Sequence, residues 1–306
     1  MNTLHYLFGL MLVVVLAAPA GAVTPPPPLA GKAVPVGDFA VVPLLDGLHS
    51  FSLNVFKGAS EAEMKKTAGG HPYPTITGTF MVYLIKRGKE RYLIDAGNGT
   101  LRQGRTGQLP QCLKEAKTAP AEIGKIFITH MHGDHIGGLV KDGKAVFPKA
   151  QVYVARAEYD YWTSEEAMRQ APEGRRGLFP LVRDVLRILE QDKLLVFFTP
   201  GDVVAPEIAS VDLAGHTPGH AGFLLDSGGK KLLFVGDLLH GAALQMPRPD
   251  ITVDFDVDQA AAKEMRLRMF KQLAEDTMPI AGAHLPFPGI GLVRPDGGGY
   301  KLEALE

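Results

Sequence analysis

Residues 129 to 135 read Thr-His-Met-His-Gly-Asp-His, directly after an apolar run, Lys125 to Thr129, that has the character of a strand. Packing does not account for such a density of titratable side chains. His130 and His132, two apart on extended chain, can point the same way, whereas Asp134 and His135 reach a different point from the same loop. One short loop can thus feed two metal ions. Further ligand types stand in Gly215-His216-Thr217-Pro218-Gly219-His220, at Asp237 after the apolar run Leu232 to Val235, and at His284 after Met278 to Ala281. Loops at strand ends are where a rigid scaffold presents ligands. The chain must therefore fold so that several strand ends meet.

The available donors narrow the chemistry. A single cysteine, Cys112, among 306 residues excludes an intramolecular disulfide framework and every Cys-rich zinc module, so any metal must be held by histidine and carboxylate. Cys112, among Leu109, Leu113 and Ala116, is expected to be buried. Two neighbouring divalent cations repel one another and need shared anions, for which Asp237 is the natural bridge and Asp134 a terminal ligand. Imidazole and carboxylate without thiolate suit two zinc ions best, with manganese, cobalt or iron as alternatives. No Gly-x-Ser-x-Gly elbow is present, which disfavours a serine hydrolase. The 32 basic and 33 acidic side chains leave a formal charge of −1, so nothing offers the basic footprint that nucleic acid requires.

The first 31 residues carry no Asp, Glu, Lys or Arg, and the apolar run Tyr6 to Ala18 leads to Ala20, Gly21 and Ala22, small residues suited to processing. This reads as a signal peptide over residues 1–22, followed by a Pro-rich linker over 23–35 and one domain over 36–306. The expectation is a periplasmic or secreted protein with no membrane span after cleavage, an uncleaved anchor being the alternative. Strand-like runs recur at residues 39–44, 75–85, 91–94, 125–129, 151–155, 194–198, 210–213, 222–225 and 231–235. Helical spacing marks Leu178, Leu181, Val182, Val185, Leu186 and Leu189, and again Ala261, Ala262, Met265, Met269, Phe270 and Leu273. Two mixed sheets covered by helices follow, an α+β architecture.

The set His130-x-His132-x-Asp134-His135, His216, Asp237 and His284, with the earlier Leu93-Ile94-Asp95-Ala96-Gly97, resembles the metallo-β-lactamase-fold hydrolases over roughly residues 36 to 306. The resemblance implies a four-layer αβ/βα sandwich with metals at one edge. It implies that His130, His132 and His216 hold one metal, that Asp134, His135 and His284 hold the second, and that Asp237 bridges them. It gives Asp95 the part of a carboxylate that fixes the ligand loop without touching metal. With the centre then complete, His220 is expected to support it rather than to ligate.

A bridging aspartate resembles the lactonase, glyoxalase II, phosphodiesterase and organophosphate-hydrolase branches, because true β-lactamases carry a cysteine or a non-bridging residue there. Glyoxalase II usually adds a basic C-terminal region, where this chain has Arg294-Pro295-Asp296-Gly297-Gly298. The stretches Gly236 to His240 and Ala283 to Gly289, with Gln245, Pro249 and Asp256, look most like exported methyl-parathion-hydrolase-like and lactonase-like enzymes. Many acyl-homoserine lactonases have a tyrosine three residues after the bridging aspartate, where this chain has His240, a group able to donate to a leaving oxygen. The expected function is metal-dependent opening of lactones or cleavage of activated esters, with phosphotriesters as promiscuous substrates and Asp134 or His240 handling the proton. Metallo-β-lactamase, a glyoxalase II-like thioesterase and a silent metal-binding member are the rival readings. Trp162 and His240 are pocket-wall candidates, with Phe287 and Phe51 weaker ones, whereas His49 and His71 read as solvated loop residues. The partner is a small-molecule ester or lactone. Oligomeric state is not legible, and a homodimer is compatible with all of this.

Overall fold

Strand pairing in the computed structural model follows chain order, and the residues it describes are 28–69, 75–101 and 106–305. The first sheet runs β1 (Val34–Val36), β2 (Phe39–Ser52), β3 (Thr75–Arg87), β4 (Glu90–Ile94), β5 (Lys125–Phe127), β6 (Gln151–Ala155) and β7 (Leu195–Phe198), side by side in that order. Its first four strands pair antiparallel and its last four parallel. The second runs β8 (Val203–Ala205), β9 (Ile208–Asp212), β10 (Ala221–Ser227), β11 (Lys230–Gly236), β12 (Pro279–Gly282), β13 (Ile290–Asp296) and β14 (Gly299–Ala304), again in order. Here only β11 and β12 pair parallel, with helix Gln259–Asp276 crossing between them.

The inner faces of the sheets meet in one apolar layer, Phe39, Met81, Ile94, Phe127 and Tyr153 on one side and Ile208, Phe223, Phe234 and Ile290 on the other. Helices Leu109–Glu115 and Leu178–Gln191 cover the outer face of the first sheet, and helix Gln259–Asp276 covers that of the second. The result is the expected αβ/βα sandwich. Helix Gln259–Asp276 starts where the Asp258 side chain accepts the Ala261 N–H and stops where Thr277 turns left-handed. Its expected apolar stripe is buried, and Arg266 is buried with it, donating to the carbonyls of Leu238, Pro249 and Ile251. Cys112 is buried as expected, which pushes its thiol up to about 12.

Several differences from the sequence reading have local causes. Strand β2 continues eight residues beyond Leu44 because a bulge at Asp46 turns that carboxylate inward, where it accepts the N–H groups of Asn98, Gly107 and Leu109. Between β6 and helix Leu178–Gln191, where the sequence marks no element, stand three short helices, Arg156–Thr163, Glu165–Gln170 and Glu173–Arg176. Of the linker expected over 23–35, residues 23–27 lie outside the described residues, as does the signal segment 1–22. Residues 29–35 are part of the fold: the Gly31 N–H donates to Pro43, the Leu45 N–H donates to Leu29, and β1 pairs with β2. Alternating side chains too short for a hydropathy window carried no signal there. Among the described residues no helix is long and apolar enough to cross a membrane.

Candidate metal centre

Four parallel strands aim their C-terminal ends at one edge of the sandwich. Asp95 follows β4, His130 to His135 follow β5, Asp237 follows β11 and His284 follows β12, while the loop from β9 to β10 brings His216 and His220. A parallel pair places both C-terminal ends together, which is why residues far apart in sequence converge here. Gly236 enters this edge at φ 49, and a Cβ there would lie 2.6 Å from His220 Nε2 and 2.9 Å from Thr129 Oγ1, so only glycine lets Asp237 sit so close to the loops.

The side chains fall into three overlapping donor groups, of which Asp237, His240 and His284 form one and the other two flank the same carboxylate. Donor atoms of His130, His132, His216 and Asp237 lie within 4.8 Å of one another, and so do those of Asp134, His135 and His284. Asp237 Oδ2 stands 3.5 Å from His130 Nε2 and 3.4 Å from His216 Nε2, while Oδ1 stands 3.2 Å from His135 Nε2. Asp134 Oδ2 lies 3.7 Å from His135 Nε2 and 3.6 Å from His284 Nε2. The two flanking groups are those that the resemblance implied.

The outer nitrogens of three rings are already committed. His135 Nδ1 donates to Asp95 at 2.8 Å, His216 Nδ1 to Asp256 at 2.7 Å, and His284 Nδ1 to the Thr79 carbonyl at 2.8 Å. With Nδ1 so held, each ring points Nε2 at the anionic Asp237, as an N–H when protonated and as a lone pair once a cation takes the proton's place. His132 Nδ1 lies 2.9 Å from His130 Nε2 and 3.0 Å from His216 Nε2, so three ring nitrogens converge on one point. His135 Nε2 and Asp237 Oδ1 are buried with no hydrogen-bond partner. Electron pairs converging in this way fit cations between them, and the cluster is compatible with a binuclear metal site.

Protonation shows the same demand for positive charge. Burial alone would discharge every ring, yet hydrogen bonds to Asp237 and Asp256 push His216 up to about 9, and the Asp237 charge raises His135 and His284 as well. Burial and neighbouring imidazoles hold His130 and His132 well below the ordinary value. Burial opposes the charge on Asp237, but the surrounding rings keep its carboxyl well below the usual range.

Asp95 and His220 act on the ligands from behind. Asp95, held at φ 61, accepts the N–H and Oγ1–H of Thr129 besides the His135 ring, tying both ends of the histidine loop. His220 Nδ1 donates to the Leu213 carbonyl and Nε2 accepts the Asp237 N–H at 3.1 Å, so it positions the bridging residue; burial lowers it to about 3. His240 Nε2 lies 3.0 Å from Asp237 Oδ2, its ring stacks on His284 at 4.9 Å, and its Nδ1 is buried without a partner. Burial takes His240 down to about 4 despite the pull of Asp237.

A cavity of about 330 Å³ opens onto Asp134, Asp237, His240 and His284. Phe51 lines it, 5.5 Å from the His284 ring. His49, expected in solvent, is on β2 and also lines it, against Phe51 and Phe80; His71 lies outside the described residues. Phe287 is not on this wall and instead packs beside Gly31 and the inter-sheet core. Trp162 is buried behind His132 at 5.6 Å and lines a separate cavity. Leu178 and Leu181, expected in the helix core, reach the metal-facing wall.

Sequence reasoning passed over Glu158. Its buried carboxylate accepts the N–H of Met131 at 2.9 Å, that of Gly219 at 3.0 Å and the Trp162 indole N–H at 2.8 Å, joining the two loops that carry His130, His132 and His216. An acid in an amphipathic segment, Ala157 to Trp162, has no sequence signal that separates it from a solvated one.

Comparison with known proteins identifies the family and the fold. The family described as the metallo-β-lactamase superfamily matches residues 81–282. A probable metallo-hydrolase of Mycobacterium tuberculosis is 28% identical over 179 residues, 52% of this chain, and the chain spans only 56% of the length of that relative. The crystal structure of AbOPH, a hydrolase in the β-lactamase superfamily, superposes with a TM-score of 0.85 at 29% identity, covering 90% of this chain and 97% of the other. AidC, a dizinc quorum-quenching lactonase solved with an acyl-homoserine product, superposes with a TM-score of 0.84 at 28% identity, over 91% and 99%.

Proposed function

The chain belongs to the metallo-β-lactamase superfamily, and from that membership we propose an exported binuclear hydrolase that opens lactones or cleaves activated carboxylic esters. The observation that carries the reading is one buried carboxylate, Asp237, set between two donor sets at the floor of a largely apolar cavity. His130, His132 and His216 would hold one cation, Asp134, His135 and His284 the other, and Asp237 would bridge them. Two divalent cations there supply Lewis acidity and a water acidified towards neutral pH, most simply as zinc, with manganese, cobalt or iron able to use the same donors.

The chain's own groups do the rest. Asp134, 12% exposed and with His132 the least buried of the ligands, faces the cavity and takes up a proton there. His240, kept neutral by a pKa of about 4 and with Nε2 3.0 Å from Asp237, is placed to hydrogen-bond a departing alkoxide or phenoxide through an N–H rather than to protonate it. Phe51, Val55, Leu178 and Leu181 keep water from the bound ester and favour an apolar acyl or aryl portion. The likeness to AidC favours lactones, and the apolar leader over residues 1–22 favours export.

The test is hydrolysis of a matched panel by the purified protein: an aryl lactone, an acyl-homoserine lactone, a p-nitrophenyl ester, a phosphotriester and a chromogenic cephalosporin, each with zinc, manganese or cobalt and again after chelation. Metal-dependent turnover of lactone or ester is expected. Cephalosporin turnover alone would transfer the chain to the β-lactamase reading, and silence with metal still bound would leave the centre standing and overturn the lactone and ester substrate class.

A further inference from the structure

Two cavities meet at the candidate centre. The metal-facing one, about 330 Å³, and a second of about 480 Å³ beside Tyr161, Trp162 and Phe179 share four wall residues, His132, Arg175, Leu178 and Phe255. Arg175 belongs to the short helix Glu173–Arg176, is partly buried, and carries its guanidinium 5.5 Å from the centroid of Phe255. Among the described residues it is the one lysine or arginine on the metal-facing wall.

No described carboxylate pairs with it, and the acids around it are engaged elsewhere. Glu166 pairs with Arg169, Asp254 lies 3.1 Å from Lys57, Asp256 holds His216, and Asp134 faces His135 and His284. A partly desolvated guanidinium without a counter-charge is unfavourable, and its planar fork matches an oxyanion in two hydrogen bonds. The ring of Phe255 limits where the fork can turn.

We propose that Arg175 is a specificity-determining residue and that the substrate carries a carboxylate remote from its scissile bond, received by Arg175 at the junction of the two cavities. The proposal rests on the hydrolase reading for the scissile ester or lactone, but not for the binding of the anion. The remaining acyl or aryl portion then follows the apolar wall from Leu178 towards Tyr161 and Phe179.

The test is calorimetric titration of the zinc-loaded full chain with linear dicarboxylates, succinate through suberate, each against the monocarboxylate of the same length. One carboxylate is expected at the metals in both members of a pair, so the ratio of affinities isolates the second. In the wild type one chain length should favour the dicarboxylate by about tenfold or more, the size of one charge-assisted hydrogen-bonded contact. Arg175→Gln should bring that ratio to about one, Arg175→Lys should keep part of it, and Arg176→Gln, on the neighbouring residue that donates to the Ala171 and Arg169 carbonyls, should retain it in full. Absence of a preference at every length, or a preference that survives Arg175→Gln, overturns the proposal. Loss of the preference in Arg175→Gln alongside no turnover of a p-nitrophenyl monoester of the preferred dicarboxylate would leave the anion site standing and remove the hydrolase reading.

Discussion

At Asp237 five imidazoles, those of His130, His135, His216, His240 and His284, approach one carboxylate within 3.5 Å. Removing that charge should cost more than removing any single ring, because both donor sets lose their shared anion. Asp237→Ala is expected to lower kcat/KM on the best ester by about a thousandfold or more, an effect of about 4 kcal/mol, and to reduce bound zinc by elemental analysis. Near-normal turnover in that variant would sink the binuclear reading. His240→Phe removes the N–H that would hydrogen-bond a leaving oxygen, so its loss should be about 10- to 100-fold for esters with poor leaving groups and much smaller for p-nitrophenyl esters. Equal losses on both would assign His240 to structure alone.

Glu158 belongs to the scale of elements, since its work is to join two loops and a helix. Glu158→Gln replaces one acceptor oxygen with a donor facing an N–H, either of Gly219 or of Met131 and Trp162. The expected outcome is zinc affinity weaker by about 10- to 100-fold with an unchanged far-ultraviolet spectrum, and a titration against a chromophoric chelator reads it. Helix Leu178–Gln191 has a different division of labour: Leu186 and Leu189 are buried against the first sheet, while Leu178 and Leu181 face the cavity. Leu186→Ala should therefore lose about 2–5 kcal/mol of stability in denaturant unfolding. Leu181→Ala should instead act mainly on KM.

The whole molecule feels the centre through linkage. Without cations, His135, His216 and His284 have pKa values raised above 6.5, so the stability they contribute is full below that value and is lost as pH rises, for His216 towards about 9. His130, His132, His220 and His240 are shifted the other way and cost stability as pH falls below 6.5. The chelated protein should thus be most stable near pH 6.5, with Tm falling on both sides in a thermal scan. Cations replace those protons, so the loaded protein should hold its Tm well above that pH. Saturating zinc at about a hundredfold over Kd should add about 3 kcal/mol per site, a rise in Tm of at least about 5 °C for a domain of this size. A Tm indifferent to zinc would mean that the donor sets do not bind it.

By itself the sequence determined the donor types, their grouping on loops after strands, the two amphipathic helices and the alternation that makes two sheets, because each is a local pattern of a few neighbouring residues. One cysteine was enough to decide that no thiolate takes part. What only the tertiary structure decided is where distant segments meet. Glu158 became a clamp because Met131 and Gly219 were folded against it, His49 became a cavity residue because the Asp46 bulge prolonged β2, and Phe287 was drawn away from the cavity into the space beside Gly31. Trp162 and Arg175 likewise took their places at cavity walls through the packing of three short helices. The physical reason is common to all of them. Periodicity reports which face of an element is apolar, but burial of a polar group depends on partners supplied from elsewhere in the chain, and only the folded contacts name those partners.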